Sequence, residues 1–235
     1  MRLTGTWPGQ VTLRQGWSRA SARPWNDDVS AASLRLERGS SDFLRAAATR
    51  LLSEGAEWVG SPPLDRSSAV PWERAGFAPF LSLDLHRKAL DGPIPSSGIE
   101  VAEGSARDLR TLTPVDDESF EGVWRLGTLG LAEALVATPR STLLLASDSE
   151  QLVGFAIVGF GNRAGYLQRI AVASSHRGRG IGRGLLRESL HWCLRRGAGY
   201  VLLNTRPGNE AASSLYASEG FAMHPAALRV LRLGG

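Results

Sequence analysis

The stretch from Gly165 to Gly197 constrains the fold more than any other part of the 235 residues: an apolar strand, a turn rich in glycine and arginine, and a helix follow one another without a break. The strand reads as Gly165 to Val172 and closes on Gln168-Arg169-Ile170-Ala171-Val172. The turn is His176-Arg177-Gly178-Arg179-Gly180-Ile181-Gly182-Arg183. From Ile181 to Arg196 the apolar period changes, with Leu186, Leu190, Cys193 and Leu194 on one helix face and Gly197 as the stop. Such a junction makes an anion site. Glycines let backbone N–H groups turn inward as a nest, the helix N-terminus adds partial positive charge, and Arg177, Arg179 and Arg183 add full charges, which together suit a pyrophosphate.

Spacing excludes two nucleotide loops. A Walker loop needs Gly-Lys-Ser/Thr, and the only lysine is Lys88. The dinucleotide fingerprint G-x-G-x-x-G fails because Leu185 or Arg183 stands where its third glycine belongs.

Around this junction the pattern is mixed α/β. Asp91 to Gly98 carries two prolines and several turn formers and reads as a linker. Ile99 to Ala102 is expected as a strand, Ser105 to Phe120 as a helix capped by Ser105, and Thr128 to Thr138 as a helix stopped by Pro139. Thr142–Ala146, Leu152–Phe160 and Gly165–Val172 read as hairpin-connected strands, so the sheet is partly antiparallel. Tyr200 to Asn204 is a buried strand, Asn209 to Ser218 a helix ending at Gly220, and Leu228 to Leu233 a last strand. In the first half, Phe43 to Leu52 is helical, Glu57 to Gly60 strand-like, and Trp72-Glu73-Arg74-Ala75-Gly76-Phe77 matches Tyr216-Ala217-Ser218-Glu219-Gly220-Phe221 in form. This reads as an incomplete internal repeat. The expected division is a partial domain over 1–90, a linker over 91–98 and a complete domain over 99–235.

Composition narrows the function. With 43% hydrophobic and 21% charged residues the chain is expected to fold. Its net charge of +4 is spread through both halves without a basic run, which argues against nucleic acid. The one cysteine, Cys193, allows no internal disulfide, and no Cys/His cluster suits a metal. The longest apolar stretch, near Val153 to Phe160, is too short to span a bilayer. A soluble protein of the reducing cytoplasm, without membrane partner, is expected.

Arg177-x-x-Gly180-x-Gly182 after an apolar strand resembles the coenzyme A pyrophosphate loop of the GNAT (GCN5-related N-acetyltransferase) acyltransferases, whose pattern is Gln/Arg-x-x-Gly-x-Gly/Ala. Asn209 and Tyr216 reproduce that family's Asn-x6-Tyr, and Gly220-Phe221 its closing Gly-Phe. The resemblance runs from about Ile99 to the end and is similar in spacing to the ribosomal-protein alanine N-acetyltransferases. It implies a GNAT acyl-CoA fold, here preceded by a partial GNAT-like α/β half-domain. It also implies that strand Gly165–Val172 splays from strand Tyr200–Asn204, with the pantetheine arm bound as an added strand on the backbone of Ile170, Ala171 and Val172. Arg177, Gly178, Arg179, Gly180, Ile181, Gly182 and Arg183 would then hold the pyrophosphate, and Asn209 the pantetheine or the local backbone. Tyr216 would protonate the leaving thiolate.

The implied activity is acetyl transfer from acetyl-CoA, as co-substrate and without metal, to a primary amine by direct attack; the amine is a protein N-terminus or a small molecule. The glutamate that the ribosomal-protein alanine acetyltransferases carry five residues before the motif asparagine is replaced here by Asn204. The base is then a water chain oriented by Gln168 and Asn204, or Glu118, Glu121 or His224. The acidic run Asp116-Asp117-Glu118 suits a cationic acceptor or is a solvated helix face. Trp72 stands where Tyr216 would, and no such loop precedes its helix. The first half is therefore expected to bind no coenzyme A and instead to extend the sheet, shape the acceptor pocket or mediate a homodimer. Asn204 favours a second reading, a catalytically idle acyl-CoA sensor or scaffold.

Overall fold

In the computed structural model, which describes residues 1–25 and 30–235, the chain divides into two units, Met1–Asp84 with Pro225–Gly235, and Leu85–His224. The first unit opens with four antiparallel strands, β1 (Arg2–Thr4), β2 (Val11–Gln15), β3 (Ser18–Pro24) and β4 (Ala32–Arg38). Val11, Leu13, Ala20, Ala22, Ala32 and Leu34 point inward at the two-residue period of a half-buried sheet. Helix α1 (Ser41–Ser53) buries Phe43, Leu44, Ala47, Ala48 and Leu51 and is capped by Ser40, whose Oγ accepts from the Phe43 N–H at 3.3 Å. Strand β5 (Trp58–Gly60) runs parallel to β4, and α2 (Arg66–Arg74) leads into β6 (Ala78–Ala89).

The second unit begins in the last residues of β6. The presumed linker is not free chain: His191 bonds the Pro95 carbonyl at 3.2 Å, Arg187 bonds that of Ser96 at 3.0 Å, and Ile99 fills the space left by Gly184 on the helix beneath. Pinned there, Ile99 does not begin the expected strand; β7 is Ala102–Gly104. Ser105 and Asp108 form a capping box around one 3-10 turn, which leads into α3 (Leu109–Ser119). Helix α4 (Gly127–Leu135) stops before Thr138, because the residue preceding Pro139 is driven out of the helical region.

Strands β8 (Arg140–Asp148), β9 (Gln151–Gly161) and β10 (Ala164–Val172) are antiparallel. Their two-residue turns hold Ser149, Glu150, Asn162 and Arg163 at positive φ, the mirror-image turn that matches strand twist. Helix α5 (Ile181–Arg195) returns the chain to β11 (Tyr200–Thr205), parallel to β10, and α6 (Glu210–Ser218) and β12 (Ala222–Met223) close the unit. Strand β12 pairs with the end of β6. Side chains alternate between two cores. Leu143, Phe155 and Ile157 meet α3 and α4, while Leu144, Ala156, Val158, Leu167 and Val201 meet α5.

The last strand, β13 (Leu228–Gly234), corrects the expected boundary. It lies between β5 and β6 and buries Val230 and Leu231, Leu231 in the first unit's core. Residues 225–235 therefore complete the first sheet instead of ending the 99–235 domain.

The repeat is visible in the order of elements: β2-β3-β4-α1-β5-α2-β6 in one unit and β8-β9-β10-α5-β11-α6-β12 in the other. The matched Trp72–Phe77 and Tyr216–Phe221 segments are both Schellman stops. Phe77 N–H bonds Trp72 O at 3.1 Å and Phe221 N–H bonds Tyr216 O at 2.9 Å, across Gly76 and Gly220 at positive φ.

Candidate active site

The parallel pairing of β10 with β11 runs only from Ala164 to Leu167. At Gln168 the ladder with β9 shifts register, a bulge that bends β10 away. Beyond it, Arg169 to Val172 pair with β9 alone, so the edge facing β11 is open. Strand alternation decides which groups lie on that edge. The Ala173 N–H donates to Val153 O at 2.8 Å, which turns residues 171 and 173 toward β9 and residues 170 and 172 toward the opening. Ile170 and Val172 can therefore bond an added strand, whereas the Ala171 N–H and C=O are directed at β9. The Val172 carbonyl is already engaged by Arg177 Nε and Ser119 Oγ, both at 3.2 Å.

The open edge leads into the glycine turn. Gly178 and Gly180 have φ of 77° and 83°, and Gly180 is the N-cap of α5 with no side-chain cap. The first N–H groups of α5 are left for an anion. Nothing stands within 4 Å of a Cβ built on Gly180, so glycine is required there for its backbone angle alone. Gly180→Ala should cost this conformation about 1–2 kcal/mol, and if the expected coenzyme A pyrophosphate sits on this turn, coenzyme A affinity measured by calorimetry should fall roughly 5- to 30-fold. Unchanged affinity would remove this turn from the binding site.

The three arginines differ. Arg177 is turned away from the turn, its Nη2 donating to Glu118 O at 2.8 Å. Arg183 lies 3.0 Å from Glu219 Oε1. Arg179 is exposed and makes no ion pair or hydrogen bond among the described residues, which leaves it the arginine most available to a phosphate.

Tyr216 sits on α6 with its ring packed between His86 and Phe221, at centroid distances of 5.7 and 5.9 Å. Burial pushes its hydroxyl up to about 12, and that hydroxyl makes no hydrogen bond to the described residues. Asn209 caps α6, its Oδ1 accepting from the Ala212 N–H at 3.2 Å. Cys193 is buried beneath Gly165, and burial pushes its thiol from 9.0 to about 12. Such a thiol is inert. Cys193→Ala should leave turnover within about twofold, and a thiol reagent should label the native chain only as it unfolds.

One base candidate, Glu118, is occupied. Glu118 accepts from the Ser174 N–H at 2.9 Å and its Oγ at 3.0 Å, bonds that hold its carboxyl below the usual range and make it a weak base. The acidic run does not form an acceptor face. Asp116 is fully buried in a two-pronged pair with Arg169, at 2.6 and 2.8 Å, and Asp117 lies 3.7 Å from Arg125. Arg169 also bonds Trp124 O at 2.9 Å and stacks on Phe120, so one buried pair organises the loop between α3 and α4. Gln168 and Asn204, half-buried and exposed, each follow the last paired residue where β10 and β11 part. Among the described residues no group of acidic, cysteine or histidine side chains could hold a metal.

A strand freed from its parallel neighbour beside an uncapped glycine-led helix is a place where an extended ligand ending in an anion can bind. Residues 107–221, just under half of the chain, match the Acetyltransferase (GNAT) family model. The chain is similar to streptothricin acetyltransferase of Streptomyces lavendulae, 37% identical over 93 residues, which cover 39% of this chain and 49% of that protein. It is also similar to the N-alpha-acetyltransferase RimI of Mycobacterium tuberculosis, 38% identical over 104 residues, 43% of this chain and 64% of the relative. The matches thus span about half to two thirds of these relatives' length. Among solved structures, a tandem GNAT protein from the clavulanic acid biosynthesis pathway superposes with a TM-score of 0.62 at 14% identity, over 95% of this chain and 82% of that one. That likeness shows the fold.

Proposed function

We propose that the chain is an acetyl-CoA-dependent N-acetyltransferase whose second unit carries the chemistry and whose acceptor is a primary amine. The observation that supports this most is the continuity of the open β10 edge at Ile170 and Val172 with the positive-φ turn Gly178–Gly180 and the uncapped start of α5. The pantetheine arm lies along the edge, and the pyrophosphate lies on the N–H groups of Ile181, Gly182 and Arg183, with Arg179 added.

The amine nitrogen attacks the thioester carbon, and its oxygen becomes an oxyanion facing an N–H of the open edge. One such donor contributes about 3 kcal/mol in other enzymes. Collapse breaks the C–S bond, sulfur takes the Tyr216 proton, and the amine's surplus proton leaves to water near Gln168 and Asn204. Solvent returns a proton to Tyr216. A phenol near 12 is a poor donor to an ordinary thiolate of ~8.5. Burial raises a thiol in the same direction, as it does for Cys193, so the mismatch narrows where the leaving sulfur is as dry as the Tyr216 hydroxyl.

The first unit takes no coenzyme A in this reading. Its equivalent helix, α1, follows β4 after two residues, its N-terminus is closed by Ser40, and Asp42 in the first turn repels an anion. It serves the acceptor side or assembly. A cytoplasmic setting fits one buried cysteine and the absence, among the described residues, of any helix long and apolar enough to cross a membrane.

The relatives' names point to a small-molecule amine or a protein α-amine as acceptor. The test is release of coenzyme A thiol from acetyl-CoA across peptides of varied N-terminus, aminoglycoside-like amines, polyamines and amino acids. Release with one class names the acceptor. Tight acetyl-CoA binding with no release for any amine favours the sensor reading, to which Asn204 in place of a carboxylate already points.

A further inference from the structure

Glu219 caps the C-terminus of α6, its N–H bonded to the carbonyls of Leu215 at 3.1 Å and Tyr216 at 3.2 Å. Its side chain is only 6% exposed, and two guanidiniums of α5, one turn apart, converge on it. Arg187 is bidentate, with Nε 2.9 Å from Oε2 and Nη2 2.9 Å from Oε1, and its remaining nitrogen donates to Ser96 O at 3.0 Å. Those bonds engage all three guanidinium nitrogens in a fixed clamp. Arg183 is held differently. It comes from the first turn of α5, lies 3.0 Å from Oε1, reaches Ser218 Oγ at 3.3 Å, and its side chain is 46% exposed. One carboxylate faces two positive charges, and the uncompensated one lies beside the anion turn.

We propose that Glu219 is a positioning residue that joins the two halves of the site, clamping α6 and Tyr216 through Arg187 while drawing Arg183 away from the turn until a diphosphate competes for it. The proposal rests on the acyl-CoA reading above. It follows from shared geometry: the same oxygen, Oε1, receives both arginines, so a phosphate that attracts Arg183 changes the load on the bond that anchors α6.

The test uses the full chain and coenzyme A. In Glu219→Gln, loss of the negative charge frees Arg183, and calorimetry at low salt should show coenzyme A binding about threefold to tenfold tighter. Turnover with acetyl-CoA should fall about tenfold with no rise in its KM, because α6 is less firmly held. A fold defect alone would weaken binding. The tightening should vanish in the double variant Glu219→Gln/Arg183→Gln, which identifies its source, and Glu219→Asp should recover most of the wild-type affinity. A folded Glu219→Gln protein with unchanged or weaker affinity overturns the proposal. Should that variant fail to fold, Arg183→Gln alone decides: affinity about threefold lower supports the shared arginine, and unchanged affinity overturns it. Wild-type protein that binds no coenzyme A overturns the site assignment itself. If the affinity pattern holds while Tyr216→Phe turns over normally, the acid role falls and the Glu219–Arg183 coupling stands.

Discussion

Tyr216→Phe is expected to lower turnover on the order of a hundredfold, within the range that general acids contribute, while acetyl-CoA affinity and stability stay near wild type. The ring does the packing, tilted at 56° to Phe221 inside a Schellman stop, and phenylalanine retains it. The hydroxyl bonds none of the described residues, so its removal leaves no partner unsatisfied. With its group near 12, Tyr216 stays protonated across the working range. The profile of turnover against pH should therefore have no descending limb from this residue between pH 7 and 10. Stability follows the same sign. A folded-state value above the unfolded reference of about 10 favours the folded chain below that pH, and the contribution is lost as pH rises through 12. Normal turnover in the variant, with acetyl-CoA still bound, would remove the acid role.

Asp116→Ala should destabilise the chain by about 3–5 kcal/mol, the usual result of stripping one partner from a buried ion pair. Asp116 is fully buried, and the Arg169 side chain is 11% exposed, so the guanidinium would keep its desolvation cost without its carboxylate. Burial already pulls the Arg169 value down against the opposing effect of Asp116. The Leu126 N–H, bonded to Asp116 Oδ2 at 3.2 Å, would lose its acceptor too. A urea titration should show a lower midpoint with an unchanged slope. The double variant Asp116→Leu/Arg169→Met should recover much of the loss, since an apolar pair removes both charges at once. A single variant within 1 kcal/mol of wild type would contradict this view of the α3–β10 junction.

What could be read from the sequence was what the local backbone dictates. The turn at Gly178–Gly180 was legible because only glycine takes those angles comfortably, and the helix stops at Gly76 and Gly220 for the same reason. Long apolar periods made β8 to α5 plain. Strands β1 to β4 carried no such mark: in β3 burial alternates from Arg19 to Ala22 and then stays buried through Pro24, and alanine and serine barely alternate in hydropathy. The alternation of β13 announced a strand and not its neighbour, because pairing with β5 and β6 joins residues about 150 positions apart or more. The arginines misled for a related reason. Arg183 and Arg187 meet Glu219 across more than 30 residues and Arg169 meets Asp116 across 53, so Arg183 was legible only as a pyrophosphate ligand and Asp116 only as part of an acceptor face or a solvated helix face. One signal was present and unused. Two-residue alternation already puts Ala171 on the opposite edge from Ile170 and Val172.

One continuous surface, the open edge of β10 and the start of α5, should hold the acyl donor, and a crystal structure with acetyl-CoA shows whether it does. Pyrophosphate oxygens are expected within about 2.7–3.2 Å of the backbone nitrogens of residues 181–183, and pantetheine amides bonded to Ile170 and Val172 but not to Ala171. Acetyl-CoA bound elsewhere, or pantetheine bonded through Ala171 with the α5 N-terminus unengaged, would contradict this placement.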